Sequence, residues 1–310
     1  MRILGSSLHF SGDAACAVAI GIFDGVHLGH RVLLGKAREL AAAEKLESVV
    51  YTFNPHPAQV LVPAKAPPLI EPIEIRLERF AGMGLDVALV ERFSAKFAAT
   101  SPQVFAEEIL VGRLKARHVV VGEGFTFGAG GKGTTEELAR RLASRGATLH
   151  AIAPVLVDNE RVSSTRIREH VRHGDMERAA ALLGRPYTLT GLVMRGLRRG
   201  RELGFGTANL APENELLPAN GVYAALATGP IGTYRAVVNI GMTPTFGSNT
   251  LKIEAHLLDF DNRTLYGTTL AVEFIERLRE ERKFDSADAL KAQILRDIAS
   301  ARQVLASYSR

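Results

Sequence analysis

Two kinds of apolar pattern alternate over residues 17–53, and this alternation constrains the fold more than any other feature of the chain. AVAIGIF (17–23) is a short continuous apolar run, typical of a strand that is covered on both faces. RVLLGKARELAAAEK (31–45) combines helix formers with apolar residues at helical spacing, and SVVYTF (48–53) is strand-like again. This strand–helix–strand order predicts a βαβ unit, and hence a parallel sheet.

The same theme recurs further along the first half. VALV (87–90) precedes a helical segment over 102–114, which leads into the apolar run HVVVG (118–122). TTEELARRLASRG (134–146) and LHAIAPV (149–155) then add a helix and a strand. We therefore expect the first half to form an open α/β sheet with helices on its faces.

A domain boundary is indicated where a helical pattern over 166–183 stops at Gly184-Arg185-Pro186. Gly and Pro commonly end helices. A chain of 310 residues is also long enough for two domains of roughly 150 residues each. We predict domains at 1–184 and 185–310.

The second half has a different sequence pattern, in which short apolar segments alternate with Gly, Pro and Asn turns. The predicted strands are YTLTGLVM (187–194), NGVYAALA (220–227), YRAVVNIG (234–241), LKIEAHLLDF (251–260) and TLAVEFIERL (269–278). Only 284–305 is convincingly helical, with Asp285 or Ser286 as N-cap and apolar residues at 287, 290, 294 and 298. These patterns predict a small β-sheet or barrel closed by a C-terminal helix.

The composition limits the surroundings in which the chain works. A single cysteine, Cys16, excludes an internal disulfide and suits a reducing cytoplasm. No export signal is visible in the first residues, and no apolar run approaches the roughly 20 residues that span a bilayer. The net charge of +5 suits anionic small molecules as well as nucleic acid, but 6% aromatics and no Trp disfavour a base-stacking platform. We expect a soluble, cytoplasmic protein that binds neither nucleic acid nor membrane.

The first candidate site is GIFDGVHLGH (21–30), which leaves a predicted strand and enters a predicted helix. Such a turn lies at the carboxyl edge of a parallel sheet, where open α/β folds bind ligands. The helix N-terminus offers unpaired backbone N–H groups to an anion, and the glycines let backbone approach it closely. His27 and His30 could then donate hydrogen bonds to phosphate oxygens. The alternative is a surface turn with two solvated histidines.

RVSSTRIRE (161–169) is a second fragment that could hold phosphates. It combines three hydroxyl side chains with Arg166 and Arg168, and a guanidinium can grip phosphate bidentately. Taken alone, the fragment is equally typical of a Ser or Thr N-cap followed by a charged helix. Both fragments in this order on one α/β domain favour a nucleotide site.

This pair of fragments resembles the H-x-G-H nucleotidyltransferase superfamily, and TFNPHP (52–57) and VGEGFTFGAGGKG (121–133) narrow the match. Together they look like the adenylyltransferase module of the bifunctional riboflavin kinase/FMN adenylyltransferase family. The resemblance implies catalytic roles for His27 and His30. It implies nucleotide contacts by Gly21, Phe23, Asp24, Gly25, Gly29, Asn54, Ser164, Thr165 and Arg168, and flavin contacts by Pro55, His56, Pro57, Gly122, Phe125 and Phe127. Gly124 stands where the family usually has Asp or Asn.

The second candidate site is GLVMRGLRRGRELGFGTANL (191–210). Its glycines suit a flexible loop that closes over phosphates, and Thr207 and Asn209 offer the hard oxygen ligands that Mg²⁺ prefers. Its arginines leave two alternatives open, a nucleic-acid-binding loop and a solvated charge run. The residues concerned are Gly196, Gly200 and Gly204, with Arg195, Arg198, Arg199 and Arg201.

Glu254 lies on the predicted strand 251–260, where alternation places it and His256 opposite the apolar side chains. It is the acidic residue that we expect to take a proton from an attacking hydroxyl. From about Tyr187 to Ile298 the chain also resembles the riboflavin kinase module of the same family. That resemblance makes Glu254 the catalytic base and a flavin contact, and Thr207 and Asn209 the ligands of Mg–ATP. Gly196 and Gly204 are the further expected nucleotide contacts. Gly206 stands where the family usually has Pro.

The resemblance implies a fold and two reactions. We expect a Rossmann-like α/β nucleotidyltransferase domain, followed by a six-stranded β-barrel of the riboflavin kinase kind with a C-terminal helix. The barrel would phosphorylate riboflavin to FMN, and the first domain would adenylylate FMN to FAD with release of pyrophosphate. ATP, riboflavin and FMN are the expected substrates and Mg²⁺ the expected cofactor, and a homo-oligomer is possible.

Three alternatives are left open by the sequence. The first is another H-x-G-H enzyme, such as a different nucleotidyltransferase or a class I aminoacyl-tRNA synthetase. A flavin sensor or RNA-binding regulator would bind flavin without turning over ATP. The last is a chain in which one module is active and the other is vestigial.

Overall fold

The computed structural model describes residues 1–10, 14–195, 205–230, 232–245, 248–261, 264–306 and 308, with the backbone alone for 243–245 and 248–250. By its internal contacts the chain divides into a first unit, Met1–Val162, and a second unit, Ser163–Arg310. This division lies before the boundary predicted after Gly184. The helices over 164–183 therefore group with the barrel, and one contact between them is the bond from the backbone N–H of Ala219 to the Val171 carbonyl, at 3.3 Å.

The first unit contains a six-stranded sheet in the order β1-β4-β3-β2-β5-β6, and every pair in it is parallel. The parallel α/β sheet predicted from the sequence is therefore confirmed. Its strands are β1 (Arg2–Leu4), β2 (Cys16–Ile20), β3 (Glu47–Asn54), β4 (Val87–Arg92), β5 (Ala116–Gly122) and β6 (Thr148–Ile152). A short antiparallel hairpin follows, made of β7 (Leu156–Val157) and β8 (Glu160–Arg161).

Helical segments cover both faces of this sheet. The α-helices are α1 (Leu28–Glu44), α2 (Pro57–Leu61), α3 (Ile73–Gly82), α4 (Ala95–Ala98) and α5 (Thr135–Ala143). Short 3₁₀ turns lie at Ser7–His9, Pro63–Lys65 and Ala129–Gly131. The helix predicted over 102–114 is a π-helix, Val104–Arg113, which ends with the N–H of Leu114 donating to the Ile109 carbonyl at 3.0 Å. Because both faces are covered, β2 is buried over its whole length, which explains its unbroken apolar sequence.

The strand order places the candidate loops at a switch point. From β2 the chain moves through β3 and β4 on one side, whereas β5 and β6 lie on the other side. Open α/β sheets bind ligands outside the carboxyl ends of the strands where the order reverses in this way. The turn after β2 and the loop after β5 flank this point.

The second unit contains a closed antiparallel barrel in the order β9-β10-β13-β12-β11-β14, which closes through β9. Its strands are β9 (Tyr187–Met194), β10 (Ala208–Pro212), β11 (Gly221–Gly229), β12 (Gly232–Thr245), β13 (Ser248–Leu257) and β14 (Thr269–Arg279). The six-stranded barrel expected from the resemblance is confirmed. Periodicity predicted every strand but β10, because TANL was interpreted only as a binding motif.

Among the described residues of the second unit, three helices accompany the barrel: α6 (Ser164–His173), α7 (Met176–Leu183) and α8 (Ala287–Ala306). Gly174 and Gly184 end α6 and α7 in the left-handed conformation, at φ 79° and 70°. Ser286 caps α8, since its hydroxyl accepts the backbone N–H of Ala289 at 3.1 Å. No helix in the described part of the chain is long and apolar enough to cross a membrane.

The buried face of α8 differs from the predicted one. Its buried residues are Gln293, Asp297, Ala301 and Leu305. Of the predicted set, Leu290, Ile294 and Ile298 are half-buried, with Ile298 packed against the core, and Ala287 is exposed. Arg279 explains why Asp297 is buried, because its guanidinium donates to both carboxylate oxygens of Asp297. The shortest of these bonds joins Nη2 of Arg279 to Oδ2 of Asp297 at 2.7 Å. A buried carboxylate is acceptable here because it is paired and hydrogen-bonded.

Candidate active sites

The turn between β2 and α1 has an unusual backbone. Phe23 and Val26 adopt positive φ angles of 53° and 37°, and Gly25 adopts 82°. Non-glycine residues rarely enter this region, and such residues concentrate at functional sites. At Gly25 a Cβ would lie 3.0 Å from the Ile70 side chain, so the position requires glycine for space as well as for conformation.

His27 and His30 are brought together at the start of α1. His27 is the N-cap, and its Nδ1 accepts the backbone N–H of His30 at 3.2 Å. The two rings stack with their centroids 3.5 Å apart. Because Nδ1 of His27 is an acceptor, the neutral ring carries its proton on Nε2 and donates from there. A donor beside a helix N-terminus is suited to phosphate.

The predicted nucleotide contacts Gly21, Phe23 and Asp24 hold this turn through contacts within the protein. The Phe23 ring is fully buried, with its centroid 5.2 Å from that of His30 and 5.9 Å from that of Phe80. A Cβ on Gly21 would lie 3.1 Å from the same ring. The Asp24 carboxylate accepts the backbone N–H of Ile70, with both oxygens at 3.0 Å. These three residues therefore fix the shape of the turn through packing and hydrogen bonds inside the protein.

A cavity of about 470 Å³ opens beside the same turn and is lined mainly by aromatic and glycine residues. Its lining consists of Gly21, Ile22, Phe53, Pro57, Leu61, Phe93, Phe97, Ala98, Thr100, Phe105, Phe125, Thr126, Phe127, Gly128, Gly130 and Gly131. Phe53, Phe93 and Phe125 lie at or just beyond the carboxyl ends of β3, β4 and β5. Its size and apolar walls suit a planar aromatic ligand.

Three of the six flavin contacts predicted in the first domain, Pro57, Phe125 and Phe127, line this cavity. Pro55, His56 and Gly122 are not among the described lining residues, and His56 instead caps α2 by accepting the Ala58 N–H at 3.0 Å. Sequence reasoning missed the remaining lining phenylalanines, Phe53, Phe93, Phe97 and Phe105. The signal was available for Phe53 and Phe93, which end or follow predicted parallel strands.

The loop after β5 explains one departure from the family pattern. Gly124 adopts φ 77°, with nothing within 4 Å of the position that a Cβ would occupy. Asn and Asp are the residues that tolerate this conformation best after Gly. Glycine therefore preserves the turn that the usual Asp or Asn would form.

A buried carboxylate, that of Glu91, supports the wall of the cavity through Tyr51. Glu91 accepts the Tyr51 hydroxyl at 3.0 Å and the backbone N–H of Ser7 at 2.8 Å. Burial raises the pKa of Tyr51, and the Glu91 charge raises it further, so the hydroxyl stays protonated as a donor. The Tyr51 ring stacks on Phe105, which lines the cavity.

The predicted phosphate residues of the second fragment begin α6, in the second unit. Ser163 is the N-cap, and its hydroxyl accepts the backbone N–H of Arg166 at 3.3 Å. Ser164 is half-buried, Thr165 is exposed and Arg168 is buried. Asn54, predicted to contact nucleotide, is exposed at the end of β3 in the first unit.

In the barrel, three polar residues lie in a row across neighbouring strands. Asn209 of β10 is directly opposite Glu254 of β13, which is directly opposite Asn239 of β12. Directly opposite residues of antiparallel strands share one face. All three are half-buried, whereas Ile253 and Ala255 are buried, so the predicted alternation along β13 is confirmed. Sequence reasoning missed Asn239.

His256 anchors the entry to β10. Its Nδ1 donates to the Gly206 carbonyl at 2.8 Å, and its ring makes an edge contact with Phe205. This bond restrains the backbone just before Thr207, where the family usually has a proline. Arg195 lies over the Tyr266 ring at 5.8 Å. The remaining predicted loop residues, Gly196, Arg198, Arg199, Gly200, Arg201 and Gly204, lie outside the described residues.

Two family models match the chain. Residues 10–166 match the model described as FAD synthetase, and 183–305 match the model described as riboflavin kinase. A Bacillus subtilis protein described as a bifunctional riboflavin kinase/FMN adenylyltransferase is 38% identical, over 92% of this chain and 91% of its own length. An Escherichia coli protein of the same description is 36% identical, with 93% and 92% covered.

A solved structure covers nearly the whole chain as well. It is described as the crystal structure of a macrolide-efflux protein from Streptococcus pneumoniae. The two chains are 30% identical, the TM-score is 0.86, and 99% of each chain is covered. The similarity thus extends through both units.

Proposed function

The chain belongs to the bifunctional riboflavin kinase/FMN adenylyltransferase family, and we propose which of its residues perform each reaction. The enzyme phosphorylates riboflavin to FMN and adenylylates FMN to FAD, with ATP as the donor each time. The observation that carries the assignment is the pairing of a histidine-capped helix start with an aromatic cavity at one sheet edge. Ile22 belongs to both, since it lines the cavity and lies in the turn that leads to His27.

In adenylyl transfer, the FMN phosphate attacks the α-phosphorus of ATP and pyrophosphate leaves. This nucleophile is already anionic, so the reaction needs no general base. The protein contributes position and charge stabilisation. We assign the Nε2–H of His27, the His30 ring and the first N–H groups of α1 to the phosphate oxygens. From the family resemblance alone, we also assign phosphate contacts to Ser164, Thr165 and Arg168 at the start of α6.

The flavin ring of FMN is assigned to the 470 Å³ cavity. Phenylalanine edges and faces at this spacing favour stacked and edge-on contacts with a planar ring. Thr126 and the glycine backbone at 128–131 supply polar groups at the border of the cavity. The phosphate would then lie toward the turn that carries His27.

In the kinase reaction, Glu254 accepts the proton of the ribityl 5′-hydroxyl as that oxygen attacks the γ-phosphorus of ATP. Asn209 lies on β10 directly opposite Glu254, and Thr207 immediately precedes that strand. Both offer hard oxygen ligands, so they fit a Mg²⁺ ion that takes its other ligands from phosphate and water. Bound magnesium would neutralise charge on the transferring phosphoryl group. Asn239, beside Glu254, orients the substrate hydroxyl.

We assign these activities to modules 1–184 and 185–310, with a cytoplasmic location. The separation of the two family matches, 10–166 and 183–305, supports the module boundary. A single cysteine, which cannot form an internal disulfide, and a need for ATP in both reactions support the location. Burial raises the pKa of the Cys16 thiol to about 12, so it stays an unreactive thiol.

The test is product analysis by chromatography from riboflavin with Mg–ATP, and separately from FMN with Mg–ATP. His30→Ala should abolish FAD formation and leave FMN formation intact. Glu254→Gln should lower FMN formation by roughly a hundred- to ten-thousandfold and leave conversion of supplied FMN to FAD unchanged. His9→Ala and Glu213→Gln, both at exposed positions, are the matched controls. Loss of both activities in each single variant would contradict the two-site assignment, and flavin binding without ATP turnover would identify a regulator instead.

A further inference from the structure

The strained turn after β2 needs support from outside itself. Two of its residues, Phe23 and Val26, are held at positive φ angles without being glycine. Such conformations persist only when the surrounding structure over-determines them. The turn carries Ile22 of the cavity at one end and His27 at the other, so whatever holds it also sets the distance between the two parts of the adenylyl site.

The segment 70–82, which contains none of the sequence motifs described above, provides this support. The Asp24 carboxylate accepts the N–H groups of Ile70 and Glu71, at 3.0 and 3.3 Å. The Phe80 ring packs edge-on against Phe23. Glu71 is itself fixed by Arg79, whose Nε donates to it at 2.8 Å. The segment therefore contacts the turn at several points.

Arg76, in the middle of α3, is almost completely buried, with 1% of its surface exposed. Its Nη1 donates to the Ile22 carbonyl at 2.8 Å, and the Thr52 hydroxyl donates to the same oxygen at 3.0 Å. Burial lowers the pKa of this guanidinium, and the charges of Asp24, Glu71 and Glu74 act in the opposite direction. A buried cation is costly, and an apolar side chain would pack here but would offer no donor to the carbonyl.

We propose that Arg76 is a positioning residue for adenylyl transfer, which acts through the Ile22 carbonyl to hold the turn that carries His27 and His30 in register with the flavin cavity. It touches no substrate and moves no proton. Its effect is to keep the phosphate donors and the flavin site at a fixed separation. The proposal rests on the proposed location of adenylyl transfer at this turn.

The experiment measures both activities of the full-length protein in the same preparation. Arg76→Met keeps the volume and removes the donor, Arg76→Lys restores a charged donor, and Thr52→Val removes the second donor from the same carbonyl. Because a misplacement of about 1 Å can cost roughly a hundredfold, we expect Arg76→Met to lower kcat for FAD formation by tenfold or more, with KM for ATP changed less than about threefold. The riboflavin kinase activity of the same chain should stay unchanged, and Arg76→Lys should recover part of the loss.

Glu78→Gln is the matched control, since Glu78 is exposed on the same helix. If Arg76→Met does not fold, Thr52→Val decides, with an expected loss of kcat of about threefold or more. An unchanged kcat for FAD formation in folded variants, or an equal fall in both activities, overturns the proposal. His30→Ala is measured alongside: FAD formation that survives in it refutes the site assignment itself, whereas its loss together with unaffected Arg76 and Thr52 variants refutes only the positioning role.

Discussion

The imidazole of His27 caps α1 by accepting the backbone N–H of His30 at 3.2 Å, and the same two residues stack their rings. The two ring nitrogens of His27 therefore have different roles. Nδ1 stabilises the first turn of the helix, and Nε2 carries the proton that we assign to a phosphate oxygen.

Replacing His27 should separate these two tasks. An Asn side chain can also cap a helix, so His27→Asn should keep the stability of the first unit and lose the phosphate donor. His27→Ala should lose both, at a cost of about 1 kcal/mol for the cap. We expect kcat for FAD formation to fall roughly a hundredfold in either variant, as when a single transition-state donor is removed. Thermal unfolding and steady-state kinetics of both variants test this, and full activity in His27→Asn would contradict it.

Filling the aromatic cavity should block flavin binding in the first unit. Ala98 lines the cavity from α4, so Ala98→Phe places a ring in the space assigned to the flavin. KM for FMN should rise by tenfold or more, while KM for riboflavin in the kinase reaction stays the same. Ala95→Phe is the control, because Ala95 is exposed on the same helix and is not a lining residue. A similar rise in both variants would place the flavin elsewhere.

Asn209 should affect metal use in the barrel. It is directly opposite Glu254, and we assign its amide oxygen to the magnesium site. Asn209→Ala should raise the Mg²⁺ concentration needed for half-maximal FMN formation by about tenfold, with no change in the Mg²⁺ dependence of FAD formation from FMN. Magnesium titrations of both reactions measure this effect. An unchanged requirement in the kinase reaction would remove Asn209 from the ligand set.

Acid should destabilise the first unit through a histidine pair. His118 Nδ1 lies 3.1 Å from His150 Nε2, and His118 Nε2 lies 2.9 Å from Glu44. Burial lowers the pKa of His150 from 6.5, and the His118 and Lys36 charges lower it further. The unfolded chain therefore binds this proton more readily, so the stability contributed by neutral His150 is present above 6.5 and is lost as the pH falls below that value.

His150→Gln should flatten this dependence. The thermal midpoint of the first unit should fall between about pH 7.5 and pH 5.5 in the parent chain, and fall less in the variant. Glu44 does not contribute in this interval, because its pKa is lowered from 4.5, chiefly by the hydrogen bond from His118. His9→Gln, at an exposed position, is the control. Equal slopes in parent and variant would show that this pair does not set the acid sensitivity.

Much of the fold could be predicted because it depends on local patterns. The apolar runs at β2 and β5 report strands that are buried on both faces. Together with the helical spacing of α1 between two strands, they imply a parallel sheet. Alternation along β13 reports burial on one face only, and it placed Glu254 on the face opposite the apolar side chains. The prediction failed where burial is decided by a distant partner: Asp297 of α8 is buried because Arg279 pairs with it, and no spacing rule contains that information.

The sequence by itself determined the two kinds of domain, the turn with His27 and His30, and the strand with Glu254, since each depends on residues close together in the chain. Only the tertiary structure decided what surrounds them. The aromatic cavity collects side chains from the ends of separate strands, Asn239 meets Glu254 through strand pairing, and Arg76 reaches the Ile22 carbonyl from a distant helix. The physical reason is that periodicity records which face of an element is buried, whereas a binding site depends on which elements the sheet order makes neighbours.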